Sequence, residues 1–113
     1  MTIINKTRNT VLASRLGVAD TADARMKGLL GRSHLLDGEG LLIRPCSSVH
    51  MLFMRFAIDV VFMGKEDQVV GLCRELKPFT FSPIFFNSCC AIELPAGKIT
   101  ETQTCKGDVL ELS

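Results

Sequence analysis

The chain has 113 residues, 47% of them hydrophobic, and its 13 lysine and arginine residues against 12 aspartate and glutamate residues give a formal net charge of +1. This length suffices for one compact domain with its own core, so we predict a single domain over residues 1–113. The basic residues are scattered without a clustered stripe, which argues against nucleic acid as a partner.

No segment has the pattern of a targeting or membrane-spanning sequence. The N-terminal residues carry Lys6, Arg8 and Arg15 and lack the apolar core of a secretory signal, so we expect a cytoplasmic location. The uncharged run over residues 79–92 is interrupted by serine, proline and asparagine. It is also shorter than the roughly 20 apolar residues that cross a membrane, so no membrane span is expected.

The N-terminal third predicts two strands and a helix. Residues 2–5 and 10–18 are rich in β-forming residues and are separated by a polar stretch, which indicates a hairpin. Asp20 and Asp23 mark the start of a helix over about residues 21–30, which places Met26 and Leu29 on one face, and Gly31 is its expected C-terminal stop. Gly28, inside this helix, is expected to permit close packing.

The rest of the chain predicts short strands separated by glycine and proline turns. The expected strands are residues 41–44, 48–54, 58–63, 69–76, 89–94 and 109–112. Residues 64–67 have the composition of a hairpin turn between two apolar strands. One short helix followed by many strands predicts a mainly β domain, of sandwich or barrel type.

Five cysteines, an odd number without a secretory signal, are expected to be reduced thiols; they are Cys46, Cys73, Cys89, Cys90 and Cys105. Cys46 and His50 have the spacing of half a zinc site. The other half would have to come from Cys89 and Cys90, and adjacent strand residues point to opposite faces of a sheet. We therefore predict no metal and no cofactor.

Several blocks of the sequence together resemble the DUF192 family of uncharacterised bacterial and archaeal proteins. The blocks are Ala24-Arg25-x-x-Gly28-Leu29-Leu30-Gly31-Arg32, Gly38-Glu39-Gly40-Leu41-Leu42, His50, Phe53-Met54-Arg55-Phe56-x-Ile58-Asp59-Val60-Val61-Phe62, Val69-Val70, Glu93-Leu94-Pro95-Ala96-Gly97 and Gly107-Asp108. The resemblance runs from about residue 10 to the C-terminus. It implies a small β domain of jelly-roll or sandwich type with one helix, and no established activity. Because the chain has no Trp or Tyr, aromatic stacking of a ligand would depend on phenylalanine.

The run HMLFMRFAIDVVFM over residues 50–63 contains three ionisable residues, His50, Arg55 and Asp59, among apolar ones. Ionisable groups in apolar sequence either form pairs that stabilise the fold or belong to a functional site. On one straight strand Arg55 and Asp59 would be about 13 Å apart. If the chain turns between them they could form a buried salt bridge; alternatively, Arg55 binds an anionic ligand while Asp59 orients it.

Glu93 and Arg32 complete the candidate ligand-binding set of His50, Arg55, Asp59, Glu93 and Arg32. His50 is either a core histidine or a ligand-binding or acid–base group. Glu93 lies between two apolar residues and either faces solvent or belongs to the site. Arg32 follows the predicted helix, where the helix dipole alone explains a cation.

Three functions are compatible with these patterns. The preferred one is a small β module that binds a small anion or a peptide in a polar pocket. The second is an acid–base enzyme that uses His50 with Asp59 or Glu93, although no nucleophile motif or metal motif supports it. The third is an interaction protein that docks a partner through residues 79–86. A monomer and a homodimer paired through an edge strand are both compatible with the sequence.

Overall fold

A computed structural model describes all residues, 1–113, as eight strands and two short helices. The elements in chain order are β1 Ile3–Asn5, β2 Thr10–Ala13, β3 Arg15–Ala19, α1 Ala22–Lys27, β4 Glu39–Ile43, β5 Ile58–Met63, β6 Val69–Leu76, β7 Cys90–Pro95, α2 Lys98–Thr102 and β8 Leu110–Leu112. A single 3-10 turn, Lys65–Asp67, connects β5 and β6. No helix has the length and apolar character needed to cross a membrane.

The strands form two sheets that pack against each other. One has the order β2-β1-β8 and the other the order β3-β4-β7-β5-β6. All neighbouring strands are antiparallel except β3 and β4, which are parallel. A core of buried apolar residues from both sheets fills the space between them, including Ile3, Leu12, Val61, Ile92 and Leu110. The predicted mainly β fold with packed sheets is therefore confirmed.

The other face of the five-stranded sheet is covered as well, by α1 and two long loops. We name these L1 (residues 44–57, between β4 and β5) and L2 (residues 77–89, between β6 and β7). The loops are joined by backbone hydrogen bonds, including Met51 N–H to the Thr80 carbonyl and Phe85 N–H to the Ser47 carbonyl, each 2.8 Å. A second apolar cluster, which includes Met51, fills the space beneath them.

Phe85 anchors L2 to the sheet. Its ring packs against Phe62 of β5 at a centroid distance of 4.5 Å. The ring occupies the space above Gly71 of β6, where a Cβ atom would lie 2.4 Å from it. Glycine at position 71 therefore leaves the space that the Phe85 ring occupies.

The predicted bounds of β5 and β6 are confirmed, whereas the predicted strand over residues 48–54 is wrong. This segment belongs to L1 and makes only an isolated bridge, between His50 and Phe81. Phe53 has φ +64°, a left-handed conformation that ends any extended strand there. The apolar run resembles a strand because Met51 and Met54 are buried in the apolar cluster between L1 and the sheet.

The N-terminal strands, α1 and α2 also differ from the sequence prediction. Residues 10–18 form two strands, β2 and β3, in different sheets. The helix α1 ends at Lys27 and is capped by Gly28, which has φ +47°, so Gly31 is not its stop. Met26 is 77% exposed, so it does not form the predicted packed face of the helix. The short helix α2 was not predicted, because the group that caps it, Asp59, is 40 residues away in the sequence.

Candidate functional site

A pocket of about 480 Å³ opens between α1, L1 and the covered face of the five-stranded sheet. Its apolar lining includes Leu29, Ile43, Val49 and Met54, and its polar lining includes Arg25, Cys46, His50, Ser88 and Glu93. The volume lies in the range of roughly 300–1,000 Å³ that small-ligand sites occupy. An apolar wall with a few polar groups is also the usual composition of such sites.

Glu93 lies on the sheet at the inner side of this pocket. In the ladder it lies between Leu41 of β4 and Val60 of β5, so its side chain rises from an apolar surface. It is only 6% exposed and accepts no hydrogen bond and forms no ion pair within the chain. Every side-chain oxygen that is completely buried in this protein has a hydrogen-bond partner. Because the Glu93 oxygens have none, they are not completely buried and reach the space of the pocket.

Burial alone raises the pKa of Glu93 to about 7. Removal of a carboxylate from water disfavours its charged form, and no neighbouring cation offsets that cost. Near neutral pH this carboxyl is therefore divided between its protonated and its ionised form. A buried, unpartnered carboxyl that opens into a pocket can accept a hydrogen bond from a group outside the chain.

The end of α1 brings backbone close to this carboxyl. Thr21 caps the start of the helix, with its hydroxyl oxygen accepting from Ala24 N–H at 3.2 Å. Gly28 ends the helix, and its N–H donates to the Ala24 carbonyl. A Cβ atom at Gly28 would lie 3.9 Å from Glu93 Oε1, so the glycine keeps the space over the carboxyl free of a side chain.

The remaining polar groups lie on L1, L2 and α1. Cys46 Sγ donates to the Ser48 carbonyl at 3.1 Å, and burial, with a smaller contribution from Glu93, raises the pKa of the thiol. Arg25 donates to the Pro45 carbonyl at 3.4 Å, which ties α1 to L1. Ser88 Oγ lies within hydrogen-bond distance of the carbonyls of Cys46 and Cys90, at 2.8 Å and 2.9 Å, and its bond to Cys46 joins L2 to L1.

His50 also lines the pocket, at its exposed side. Its side chain is exposed rather than buried, so the interpretation as a core histidine is wrong. Its Nδ1 accepts a hydrogen bond of 3.3 Å from Leu52 N–H, which leaves Nε2 without a partner in the chain. The pocket thus brings together two of the five predicted site residues, His50 and Glu93.

Asp59 lies outside the pocket and is held by backbone groups. It is fully buried, with Oδ1 accepting from Glu75 N–H and Oδ2 accepting from Ile99 N–H, each at 2.8 Å. The first bond holds an irregularity in the β5–β6 ladder, and the second caps α2. Both oxygens are occupied, so Asp59 is a structural group.

Arg55 and Arg32 also lie away from the pocket lining. Arg55 is exposed and forms no salt bridge with Asp59, so the alternative of a buried salt bridge between them is wrong: L1 turns Arg55 outwards while β5 carries Asp59 inwards. Arg32 forms a salt bridge of 2.9 Å with Glu39 and lines a neighbouring pocket of about 530 Å³. Because α1 ends five residues earlier, the helix dipole does not explain Arg32.

Several other lining residues were not among the predicted site residues. Arg25 stands in the first block of the family resemblance, which was the available signal for it. Leu29 stands in the same block but was predicted only to lie on the apolar face of the helix. Ser88 gave no signal, because its position depends on how L2 folds over the sheet. The alternative in which Glu93 faces solvent is wrong, because the loops cover the face on which it lies. All five cysteines are free, and no cluster of three or more metal-binding side chains is present.

Comparisons with known proteins agree on one family. A family model for DUF192, described as "Uncharacterized ACR", matches residues 3–112. A UPF0127 protein of Thermococcus sibiricus is 31% identical, over 96% of this chain and 73% of its own length. A UPF0127 protein of Pyrococcus furiosus is 34% identical, over 96% of each chain.

Two solved structures have the same fold. One is a protein of unknown function from Novosphingobium aromaticivorans, with a TM-score of 0.84 and 21% identity over 98% of this chain and 82% of that one. The other is described as a putative transcription regulator from Sinorhizobium meliloti, with a TM-score of 0.81 and 18% identity over 97% of this chain and 89% of that one. At these identities the likeness extends to the fold alone.

Proposed function

The chain belongs to the DUF192 family, and we propose that it is a binding module for a small ligand or peptide end that presents an amine to Glu93. One observation carries the proposal: a carboxyl that is 6% exposed opens into a pocket without any partner from the protein. A buried charge is normally paired or hydrogen-bonded. A ligand that supplies the donor would relieve the cost of its burial.

The charges around the pocket select the ligand's chemistry. An ammonium group at Glu93 would form a charge-assisted hydrogen bond, and this favours the ionised carboxylate. Arg25 and His50 lie on the same lining and suit an anionic or carbonyl group on the other end of the ligand. A simple anion would instead have to lie against a carboxyl, so an amphoteric ligand, such as an amino acid or a peptide N-terminus, fits better.

The apolar lining selects the ligand's side chain. Leu29, Ile43 and Met54 offer an aliphatic surface beside the carboxyl. An apolar side chain on the ligand residue that carries the amine would be buried against this surface. Its burial would contribute roughly 25 cal/mol of binding free energy for each Å² of apolar surface removed from water. We therefore expect a preference for leucine-like over charged first residues.

Calorimetry with leucyl-glycine and with its N-acetyl derivative tests the proposal. We expect the free dipeptide to bind and the acetylated one to bind at least tenfold more weakly, because a hydrogen bond to a charged group contributes roughly 1.5–3 kcal/mol. Glu93→Gln should weaken the free dipeptide to the level of the acetylated one. Equal affinity for both peptides, or no effect of Glu93→Gln, would rule the proposal out.

A second candidate, acid–base catalysis by Glu93, is favoured by its pKa of about 7. A general base or acid works best when its pKa lies near the operating pH. The two candidates differ in what happens to a bound peptide over time. One-dimensional NMR of leucyl-glycine with the protein shows unchanged peptide for a binding module and new product signals for an enzyme.

A further inference from the structure

L1 and L2 expose five large apolar side chains on one connected pair of loops. The residues and their exposed fractions are Phe53 75%, Phe79 62%, Phe81 66%, Ile84 56% and Phe86 90%. We name this set the phenylalanine face. The backbone pairing of the two loops joins its members, since His50 bridges to Phe81 and Phe79 N–H donates to the Met51 carbonyl at 2.8 Å. Exposed apolar side chains gathered in this way mark an interaction surface.

The loops hold these rings outwards instead of letting them fold in. Phe53 and Phe79 both have left-handed backbone conformations, with φ of +64° and +63°. Bulky residues rarely adopt this conformation, and it persists only where the surrounding structure imposes it. The two rings meet edge to face at 6.1 Å. Phe85, whose ring packs over Gly71 and against Phe62, holds L2 to the sheet.

The charges on the same loops have one sign. L1 and L2 contain no aspartate or glutamate, and their cations are Arg44, Arg55 and Lys77. Arg44 lies 4.0 Å from Asp20, whereas Arg55 and Lys77 form no ion pair and are exposed. Arg55 follows Phe53 by two residues, and Lys77 precedes Phe79 by two. Each cation therefore accompanies one of the rings that meet edge to face.

We infer that the phenylalanine face binds the surface of an anionic lipid bilayer. Exposed aromatic and aliphatic side chains insert into the boundary between headgroups and acyl chains, and flanking cations are attracted to anionic headgroups. A protein partner would need a shape complementary to separate projecting rings, whereas a lipid surface accommodates them without one. The absence of acidic residues from both loops matches the negative potential of such a membrane.

Co-sedimentation with vesicles tests the inference. The protein should bind vesicles of phosphatidylglycerol and phosphatidylcholine at least tenfold more strongly than vesicles of phosphatidylcholine alone, and raised salt should reduce the difference. Phe79→Ser combined with Phe86→Ser should abolish binding to both. Lys77→Glu should remove the preference for anionic vesicles. Leu36→Ser, at a residue that is 53% exposed and lies outside both loops, should change nothing.

Light scattering after size-exclusion chromatography separates the alternatives. Failure to bind vesicles overturns the inference, and so does binding that Phe79→Ser with Phe86→Ser leaves intact. If the protein dimerises through this face, with the same double variant restoring the monomer and no vesicle binding, the face is an interface between two copies. Circular dichroism of the double variant should match the wild type, because both rings are exposed.

Discussion

Gly28 and Glu93 approach each other across the pocket, so that a Cβ atom at Gly28 would lie 3.9 Å from Glu93 Oε1. The cap of a six-residue helix thus covers the one buried carboxyl that has no partner. The carboxyl remains open to a ligand because residue 28 has no side chain.

Gly28→Ala should disturb both the helix cap and the pocket. Its φ of +47° strains any other residue, and the new methyl group would contact the carboxyl and desolvate it further. We expect a loss of about 1–3 kcal/mol in the free energy of unfolding, weaker dipeptide binding and a higher pKa for Glu93. Gly31→Ala is the matched control, with φ +86° and nothing within 4 Å. It should lose stability in urea unfolding but bind normally; equal binding losses for both variants would contradict the prediction.

The burial of Glu93 should make stability depend on pH. Its pKa rises from 4.5 in the unfolded chain to about 7 in the folded protein, so the folded protein binds the proton more tightly. The stabilising contribution of the protonated form is complete below about pH 4.5 and is lost as the pH rises through 7. The loss amounts to about 3 kcal/mol, since one pKa unit corresponds to about 1.36 kcal/mol.

Urea unfolding between pH 4.5 and pH 8.5 measures this dependence. The free energy of unfolding of Glu93→Gln minus that of the wild type should increase with pH across this range. Glu66→Gln, at an exposed carboxyl, is the control and should show no such increase. A constant difference between Glu93→Gln and the wild type would mean that the carboxyl is not desolvated.

Asp59→Ala should destabilise the fold without a direct effect on the pocket. The change leaves the N–H groups of Glu75 and Ile99 without their acceptors, at a cost of roughly 1–3 kcal/mol each. Asp59→Asn keeps one acceptor oxygen and should lose about half as much. Chemical denaturation measures the stability, and calorimetry of the folded fraction measures dipeptide binding. Normal stability of Asp59→Ala would refute the structural role.

Gly71→Ala should displace the Phe85 ring from its position over β6. A Cβ atom there would lie 2.4 Å from the Phe85 ring, so the ring and L2 must move. Such overpacking typically costs about 1–3 kcal/mol. Gly17→Ala, where the nearest atom is 3.4 Å away, is the control and should cost less. The readouts are urea unfolding and the NMR signals of the Phe85 ring, which should shift in Gly71→Ala alone.

The sequence predicted well those parts of the fold that depend on local pattern. The apolar runs of β5 and β6, with a turn between them, fall within the predicted bounds. The run over residues 48–54 has the same composition but a different environment, because it covers the sheet and turns at Phe53. Composition alone does not distinguish a buried strand from a buried loop.

The candidate site was predictable only in part, because its groups meet through tertiary structure. Glu93 and His50 stood out as ionisable residues in apolar surroundings, and both line the pocket. Asp59 stood out equally, but its partners are the N–H groups of Glu75 and Ile99, which no local pattern links to it. An ionisable residue in an apolar segment is thus a candidate for either a structural or a functional role. Only its hydrogen bonds in the folded protein distinguish the two roles.

The most direct test of the proposed pocket is a pH titration of the Glu93 side-chain carboxyl by carbon-13 NMR, with and without leucyl-glycine. We expect a midpoint near pH 7 in the free protein, a lower midpoint with saturating leucyl-glycine and no change with its N-acetyl derivative. A midpoint near 4.5 in the free protein would contradict the burial of an unpartnered carboxyl. A midpoint that leucyl-glycine leaves unchanged would contradict the binding of its amine at this residue.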